Sequence, residues 1–190
     1  PPMPRLTMRT KNDRPNQPPE SAGHWPLRRR CSLSFTRIFV ELDELFDRRL
    51  RDEVLRAAQQ GYTTFKMHTC PYHDVIEQTR LAEQVAPPGF KIHFDFNGNR
   101  SMAAVMPIIK ELGNHPVVGF IEDPMTRTDM DGWRRLRAKS AIPIIMHVAA
   151  LGGFQEMVLG AADIYMPTGS IGDIFAQGIT CAQANIQTLL

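Results

Sequence analysis

The stretch KIHFDFNGNRSMAAVMPIIKELGNHPVVGFIEDP, residues 91–124, reads as strand, helix, strand. Lys91–Phe96 is a short apolar run bounded by the polar Asp95 and Asn97. Met102, Val105, Ile109 and Leu112 then recur at helical spacing, with Ser101 as the N-cap and Gly113 as the stop. Pro107 falls inside this helix and is expected to kink it. Val117–Glu122 is the next apolar run, and it ends on a carboxylate.

The same alternation continues in both directions. Upstream lies the run Thr63–His68, preceded by a helix over roughly Leu42 to Gln60 and the turn residue Gly61. Val75, Thr79, Ala82 and Ala86 form a helical face after it, with Asp74 as N-cap and Glu77 placed for a capping box. Downstream come the runs Ile142–Val148, Asp163–Met166 and Ile186–Leu190. Between them lie helical faces marked by Trp133 and Leu136, by Phe154, Met157, Val158 and Ala161, and by Ile171, Ile174, Phe175 and Ala182. Strand–helix units recurring every roughly 20–30 residues are what parallel βαβ crossovers require. A doubly wound sheet and a (β/α)8 barrel both meet that requirement. No glycine-rich phosphate fingerprint follows the first strand, which counts against a dinucleotide-binding sheet. Lys66 and His68, Asp95 and Asn97, Glu122, and His147 end four successive strands. A barrel opens all those ends onto one catalytic face, so an α/β fold containing about six of the eight strands of a TIM-type barrel is expected.

Composition narrows the class. The 190 residues are 43% hydrophobic and 22% charged, which suits a globular chain and excludes a collagen-like, coiled-coil or wholly disordered one. A net charge of +2 is too small to imply a nucleic-acid partner. No apolar run is long enough to span a bilayer. Cys31, Cys70 and Cys181 are odd in number and widely spaced, which fits a reducing, cytoplasmic setting better than a disulfide framework. Residues 1–41 are rich in Pro and Arg, and Arg28, Arg29 and Arg30 precede an apolar stretch that Arg37 and the acids from Glu41 onward break. The segment reads as a poorly ordered tail rather than a signal peptide or nucleic-acid arm, with the barrel domain over 42–190. The chain opens Pro-Pro rather than with Met, as a processed chain or a fragment does.

Asp95 and Glu122 are hard oxygen donors on adjacent strands. Two carboxylates in one mouth repel unless a cation lies between them, either Mg2+ or a neighbouring base such as Lys66. Lys66 and His68 are two residues apart and share a strand face. A lysine beside a metal is expected to have its pKa lowered, and a histidine is already near neutrality. A salt bridge for Lys66 and a hydrogen-bonded core role for His68 are the structural alternatives. His68-Thr-Cys-Pro-Tyr-His73 has half the look of a zinc site but no second ligand pair. Gly152-Gly153 and Gly169-Ser170-Ile171-Gly172 precede helix starts and suit either an anion or a tight turn.

The motifs Gly61-Tyr-Thr-Thr-Phe-Lys66-Met-His68, Asp95-Phe-Asn97-Gly-Asn, Ile121-Glu122-Asp123-Pro124 and Ile142-Pro-Ile together resemble the enolase superfamily. The resemblance is to the C-terminal barrel domain of its mandelate racemase/muconate lactonizing enzyme group, over roughly Leu42 to Leu190. It implies Asp95 and Glu122 as ligands of Mg2+, with Asn97 near the ligand shell. It places His68 at the usual base position and Lys66 close to the substrate carboxylate. The reaction implied is metal-assisted abstraction of a proton α to a carboxylate, leading to dehydration or racemisation of a small acid, an acid sugar above all. On the family's plan the chain supplies strands two to seven. The third metal-ligand position falls on Val148, with His147 next to it as a substitute only if the strand end is bulged. The family's later aspartate falls on Thr168, and its partner histidine lies past Leu190. Two alternatives stand beside this reading. One is a Schiff-base aldolase-like barrel using Lys66. The other is a non-catalytic barrel remnant that binds at most a small anion, with unpaired strand edges open to association as a homo-oligomer.

Overall fold

A parallel strand can pair with its successor only if the chain crosses back over the sheet, and in this protein each crossover carries a helix. The computed structural model describes residues 46–147 and 154–190. The expected tail over 1–41, the helix start near Leu42, Val148 and Gly152-Gly153 lie outside them. Helix α1 covers 46–59. It is followed by β1 (Thr64–His68), α2 (Val75–Glu83), β2 (Lys91–Asp95), α3 (Met102–Leu112), β3 (Val118–Glu122) and α4 (Met130–Lys139). Then come β4 (Ile144–His147), α5 (Phe154–Leu159), β5 (Ile164–Met166), α6 (Ile171–Gln183) and β6 (Gln187–Thr188). The six strands form one sheet in the order β1-β2-β3-β4-β5-β6, and every pair is parallel.

That order discriminates between the two candidate folds. A doubly wound sheet reverses its strand order at a switch point, whereas here each strand pairs with its sequence neighbour throughout. Crossovers of one hand then place all helices on one face of the sheet, as in a (β/α)8 barrel. The fold is therefore α/β, a partial TIM-type barrel of six strands. The central strands are apolar and buried: Ile92, Phe94, Ile121, Ile144, Ile145 and Met146 form the middle of the core.

Local signals account for the helices. Asp74 caps α2 by accepting from the Ile76 and Glu77 N–H groups, while the Glu77 carboxylate lies 3.7 Å from Arg80. Ser101 caps α3, and Val105, Ile109 and Leu112 bury its inner face with Pro107 retained inside the helix. Trp133 and Leu136 anchor α4. A reciprocal capping box forms at α6, between Ser170 and Asp173, where an Asp does the work expected of Glu or Gln. Gly119 is required by a close approach: a Cβ there would lie 2.8 Å from Lys91 Cβ, beside the register shift between Ile92 and His93.

Two expectations need correction. Ala86 lies beyond the end of α2. More important, the expected face of α6 does not bury against the sheet: Ile171 and Phe175 are 78% and 68% exposed, Ala182 is exposed, Ile174 is half-buried, and Cys181 is the buried member of the helix. The helical spacing correctly gives a helix with an apolar stripe, which Ile179 extends, but no described element covers that stripe. Phe175→Glu is accordingly expected to change stability by no more than about 0.5 kcal/mol, since little apolar surface leaves water there on folding. Denaturant unfolding checks this. A loss approaching the roughly 3–5 kcal/mol of a core Phe truncation would mean that the stripe is covered in solution.

Candidate functional site

Register and pleat together decide which side chains meet. Lys66 is the partner of His93, His68 of Asp95, Asp95 of Glu122, and Glu122 of Ile145. Partners in a parallel sheet face the same side, and so do residues two apart on one strand. Lys66, His68, His93, Asp95 and Glu122 therefore share one face near the strand ends. His147, two residues past Ile145, joins them without any bulge, which corrects the expectation that a bulge would be needed.

Glu122 is the centre of this cluster. It is almost fully buried, as is Asp95. Lys66 Nζ lies 2.7 Å from Glu122 Oε2 and 3.1 Å from Asp95 Oδ2, so one ammonium bridges the two carboxylates. His93 Nε2 lies 2.8 Å from the same Oε2, and His147 Nδ1 lies 3.9 Å from Oε1. Burial would push the Glu122 carboxyl up, but His93 and Lys66 beside it more than offset that and hold it down at about 2. Burial likewise works to lower Lys66, yet its contacts with Glu122 and Asp95 win and raise it above its ordinary value. Lys66 thus takes the salt-bridge alternative and is a held ammonium, whereas a lowered pKa was the expectation for a lysine beside a metal. Despite these short approaches, neither Glu122 Oε2 nor His93 Nε2 completes a hydrogen bond of proper geometry.

His68 is mostly exposed on the mouth, not a core residue, with Nδ1 3.5 Å from Asp95 Oδ2. Asn97 Nδ2 lies 2.7 Å from the same Nδ1, and the Asn97 N–H donates to Asp95 Oδ1 at 2.9 Å. An amide N–H toward Nδ1 puts the ring proton on Nε2; a half-turn of the amide presents oxygen instead and frees Nε2 as a base. Asn97 adopts φ +52°, the left-handed region, which turns the chain so that its side chain returns over the strand end.

Asp123, on the residue after Glu122, also adopts a positive φ, +41°. Its Oδ1 accepts the His147 N–H at 3.0 Å, and its Oδ2 accepts from Arg127 at 2.6 Å. Among the described residues, Glu122, Asp123 and His147 are the grouping of three whose ligand atoms lie within 4.8 Å of one another. The zinc half-site is absent from such groupings; His73 Nδ1 instead accepts the Cys70 N–H. At Gly169-Ser170-Ile171-Gly172 the Asp173 carboxylate already accepts from the Ser170 N–H and hydroxyl, so the turn reading holds over the anion reading. The backbone of Thr168 is clamped by Gln177, which accepts from its N–H and donates to its carbonyl. Sequence reasoning passed over His93 and Asp123. The period-2 rule that paired Lys66 with His68 places His93 on the face of Asp95 just as well.

A family model described as enolase C-terminal domain-like matches residues 49–174. The fold is similar to the 3,6-anhydro-D-galactonate cycloisomerase from Zobellia galactanivorans at TM-score 0.70 and 18% identity, over 76% of this chain and 43% of that one. It is similar to a muconate cycloisomerase from Pseudomonas fluorescens at TM-score 0.66 and 18% identity, over 73% and 41%. A dipeptide epimerase from Cytophaga hutchinsonii, solved with Mg and the dipeptide D-Ala-L-Val, gives TM-score 0.64 and 15% identity over 73% and 39%. The chain thus spans about two-fifths of the length of these structures. The order of the strands, the carboxylates on adjacent strand ends and the match over most of its length agree: this chain belongs to the enolase C-terminal domain-like family.

Proposed function

We propose that this chain carries the proton-abstracting part of a site acting on a small carboxylate, an acid sugar being the preferred class, with Mg2+ or a like divalent ion as cofactor. The observation that carries the reading is the register pairing of Asp95 with Glu122 under a single bridging ammonium. Two buried carboxylates already bridged by one ammonium are a donor set suited to a cation. Asp95 and Glu122 would hold it, with Asn97 ordering Asp95 and His147 next to Glu122. Such an ion, when bound, neutralises charge that builds on the substrate carboxylate as the α-proton leaves.

The chain's own residues divide the remaining work. His68 faces the mouth and is within reach of solvent and substrate, so it is the base. Asn97 sets which ring nitrogen carries the proton. Lys66, freed from the carboxylates, supplies positive charge to the substrate acid. Its raised pKa works against the aldolase-like alternative, because Schiff-base chemistry needs the neutral amine. No helix among the described residues is long and apolar enough to cross a membrane.

Exchange of substrate α-protons with deuterated solvent, followed by NMR over a panel of acid sugars, tests the reading. Exchange is expected to require a divalent ion and to be lost in Glu122→Gln together with ion binding. His68→Asn is expected to slow it by about a hundredfold or more while retaining the ion. Normal exchange in either variant would remove the corresponding role. Ion binding without exchange on any acid would return the chain to the non-catalytic reading.

A further inference from the structure

We propose that Arg100 is a positioning residue of the proton-abstracting site: by joining the loop after β1 to the loop after β2, it holds His68 against Asn97. The proposal rests on the reading of His68 as the base and names the residue that keeps it in place. His68 needs such a support. It closes β1, which among the described strands pairs with β2 alone and whose side chains are at best half-buried. A strand with one partner and little apolar burial opens easily at its end. The register of β1 with β2 stops at His68 opposite Asp95, and the Thr69 N–H adds one further bond, to the Asp95 carbonyl at 2.8 Å.

Past that point the hydrogen bond between the two loops comes from a side chain. Arg100 Nη2 donates to the Cys70 carbonyl at 2.8 Å, while Nη1 donates to Asn99 Oδ1 at 3.1 Å. The guanidinium carbon lies 4.5 Å from the centre of the Phe96 ring. Arg100 is only 7% exposed, yet these partners are a carbonyl, an amide and a ring, none of them an anion. A buried guanidinium without a counter-ion is destabilising, and an apolar residue would fill the space better. What the guanidinium supplies instead is a rigid fork of donors that spans two loops. Its own loop is fixed in turn: the Phe96 N–H donates to the Glu122 carbonyl at 2.9 Å, and the Gly98 N–H to the Asp123 carbonyl at 2.8 Å. Cys70 lies two residues past His68, so holding its carbonyl fixes the direction in which the chain leaves the sheet. That direction sets the 2.7 Å contact of His68 Nδ1 with Asn97 Nδ2.

Ring-nitrogen NMR spectra of the full chain and of Arg100→Met, recorded without metal on the alkaline side of the imidazole range, test the assignment. Methionine keeps most of the stem over Phe96 and removes every donor. The His68 Nδ1 signal is expected to move toward that of a free imidazole. The signals of His115, held by Glu83 before the start of β3, are expected to stay in place, whereas general loosening of the fold would move both. In α-proton exchange, kcat is expected to fall about tenfold or more with KM changed less than threefold, because the groups that bind the substrate acid lie on the strands. An unmoved His68 signal in the folded variant, or equal movement of His115, would overturn the proposal. So would a loss of exchange carried by KM alone. A parent chain without exchange on any acid would remove the reading of His68 as the base, and the ring spectra would still decide whether Arg100 holds it. Should Arg100→Met fail to fold, Arg100→Gln carries the same test, since its amide is readily hydrated and too short to span to Cys70.

Discussion

Lys66→Met is expected to destabilise the chain in the presence of a chelator and to be rescued by a divalent ion. The reason is the balance of charge around the strand ends. Asp95 and Glu122 are both buried, and Lys66 is the cation that bridges them at 3.1 and 2.7 Å. Removing one partner of a buried ion pair usually costs about 3–5 kcal/mol, because the other charge is left unpaired in a poor dielectric. Here the lysine side chain is 38% exposed, so water screens part of the loss and about 2–3 kcal/mol is the better expectation. An ion present at about a hundredfold its dissociation constant restores roughly 2.7 kcal/mol by mass action. The variant should therefore gain more from added ion than the unsubstituted chain, in which the ammonium competes for the site. Urea unfolding with chelator, with Mg2+ and with Zn2+ measures all three states. A variant as stable as the parent in chelator, or one that no ion rescues, would show that the carboxylates do not share a cation site.

Both the fold and the site came through the sequence unevenly, and the reasons are physical. All six strands among the described residues lie within two residues of their expected bounds, because each is a short run closed by turn or cap residues such as Gly61 and Ser101. The sixth was expected over Ile186–Leu190 and covers only Gln187–Thr188, a margin strand with a neighbour on one side alone. Asp95 and Glu122 were readable because acids closing apolar strands are unusual. His93 was passed over because Ile92 and Phe94 flank it, although its spacing of two from Asp95 puts both on one face. Its place opposite Lys66 is non-local and emerges only once β1 and β2 are paired.

The same limit governs two further readings. The direction of the Lys66 shift depends on whether its neighbours are anions or a metal, and spacing alone cannot decide between them. Whether His147 or Val148 faces the mouth depends on the pairing of Glu122 with Ile145, which fixes the phase of β4 relative to β3. Helix α6 shows the converse. Its amphipathic pattern was plain, but a pattern says which residues can be buried and not whether something arrives to bury them.

Trp133 ties the core to the site, and its truncation is expected to have the largest effect on stability. The side chain is fully buried in α4, while its indole N–H donates to the Thr126 carbonyl at 3.0 Å. Thr126 lies in the loop that runs from Glu122 to the N-cap Asp129, and this loop also carries Arg127, the partner of Asp123. Met125 packs inward from it, near enough that a Cβ on Gly132 would approach its methyl to 2.7 Å. Trp133→Ala leaves a large apolar cavity and should cost about 3–5 kcal/mol. Trp133→Phe keeps most of the volume but strands the Thr126 carbonyl, for about 1–3 kcal/mol. The two variants separate packing from anchoring. If the hydrogen bond holds the loop, Trp133→Phe should also weaken divalent-ion binding several-fold, because Arg127 loses its fixed position beside Asp123 and the strand end that presents Glu122 loosens. Urea unfolding and calorimetric titration of the same samples read both effects. Ion affinity equal to the parent's in a folded Trp133→Phe would confine the tryptophan to the core and detach the loop from the site.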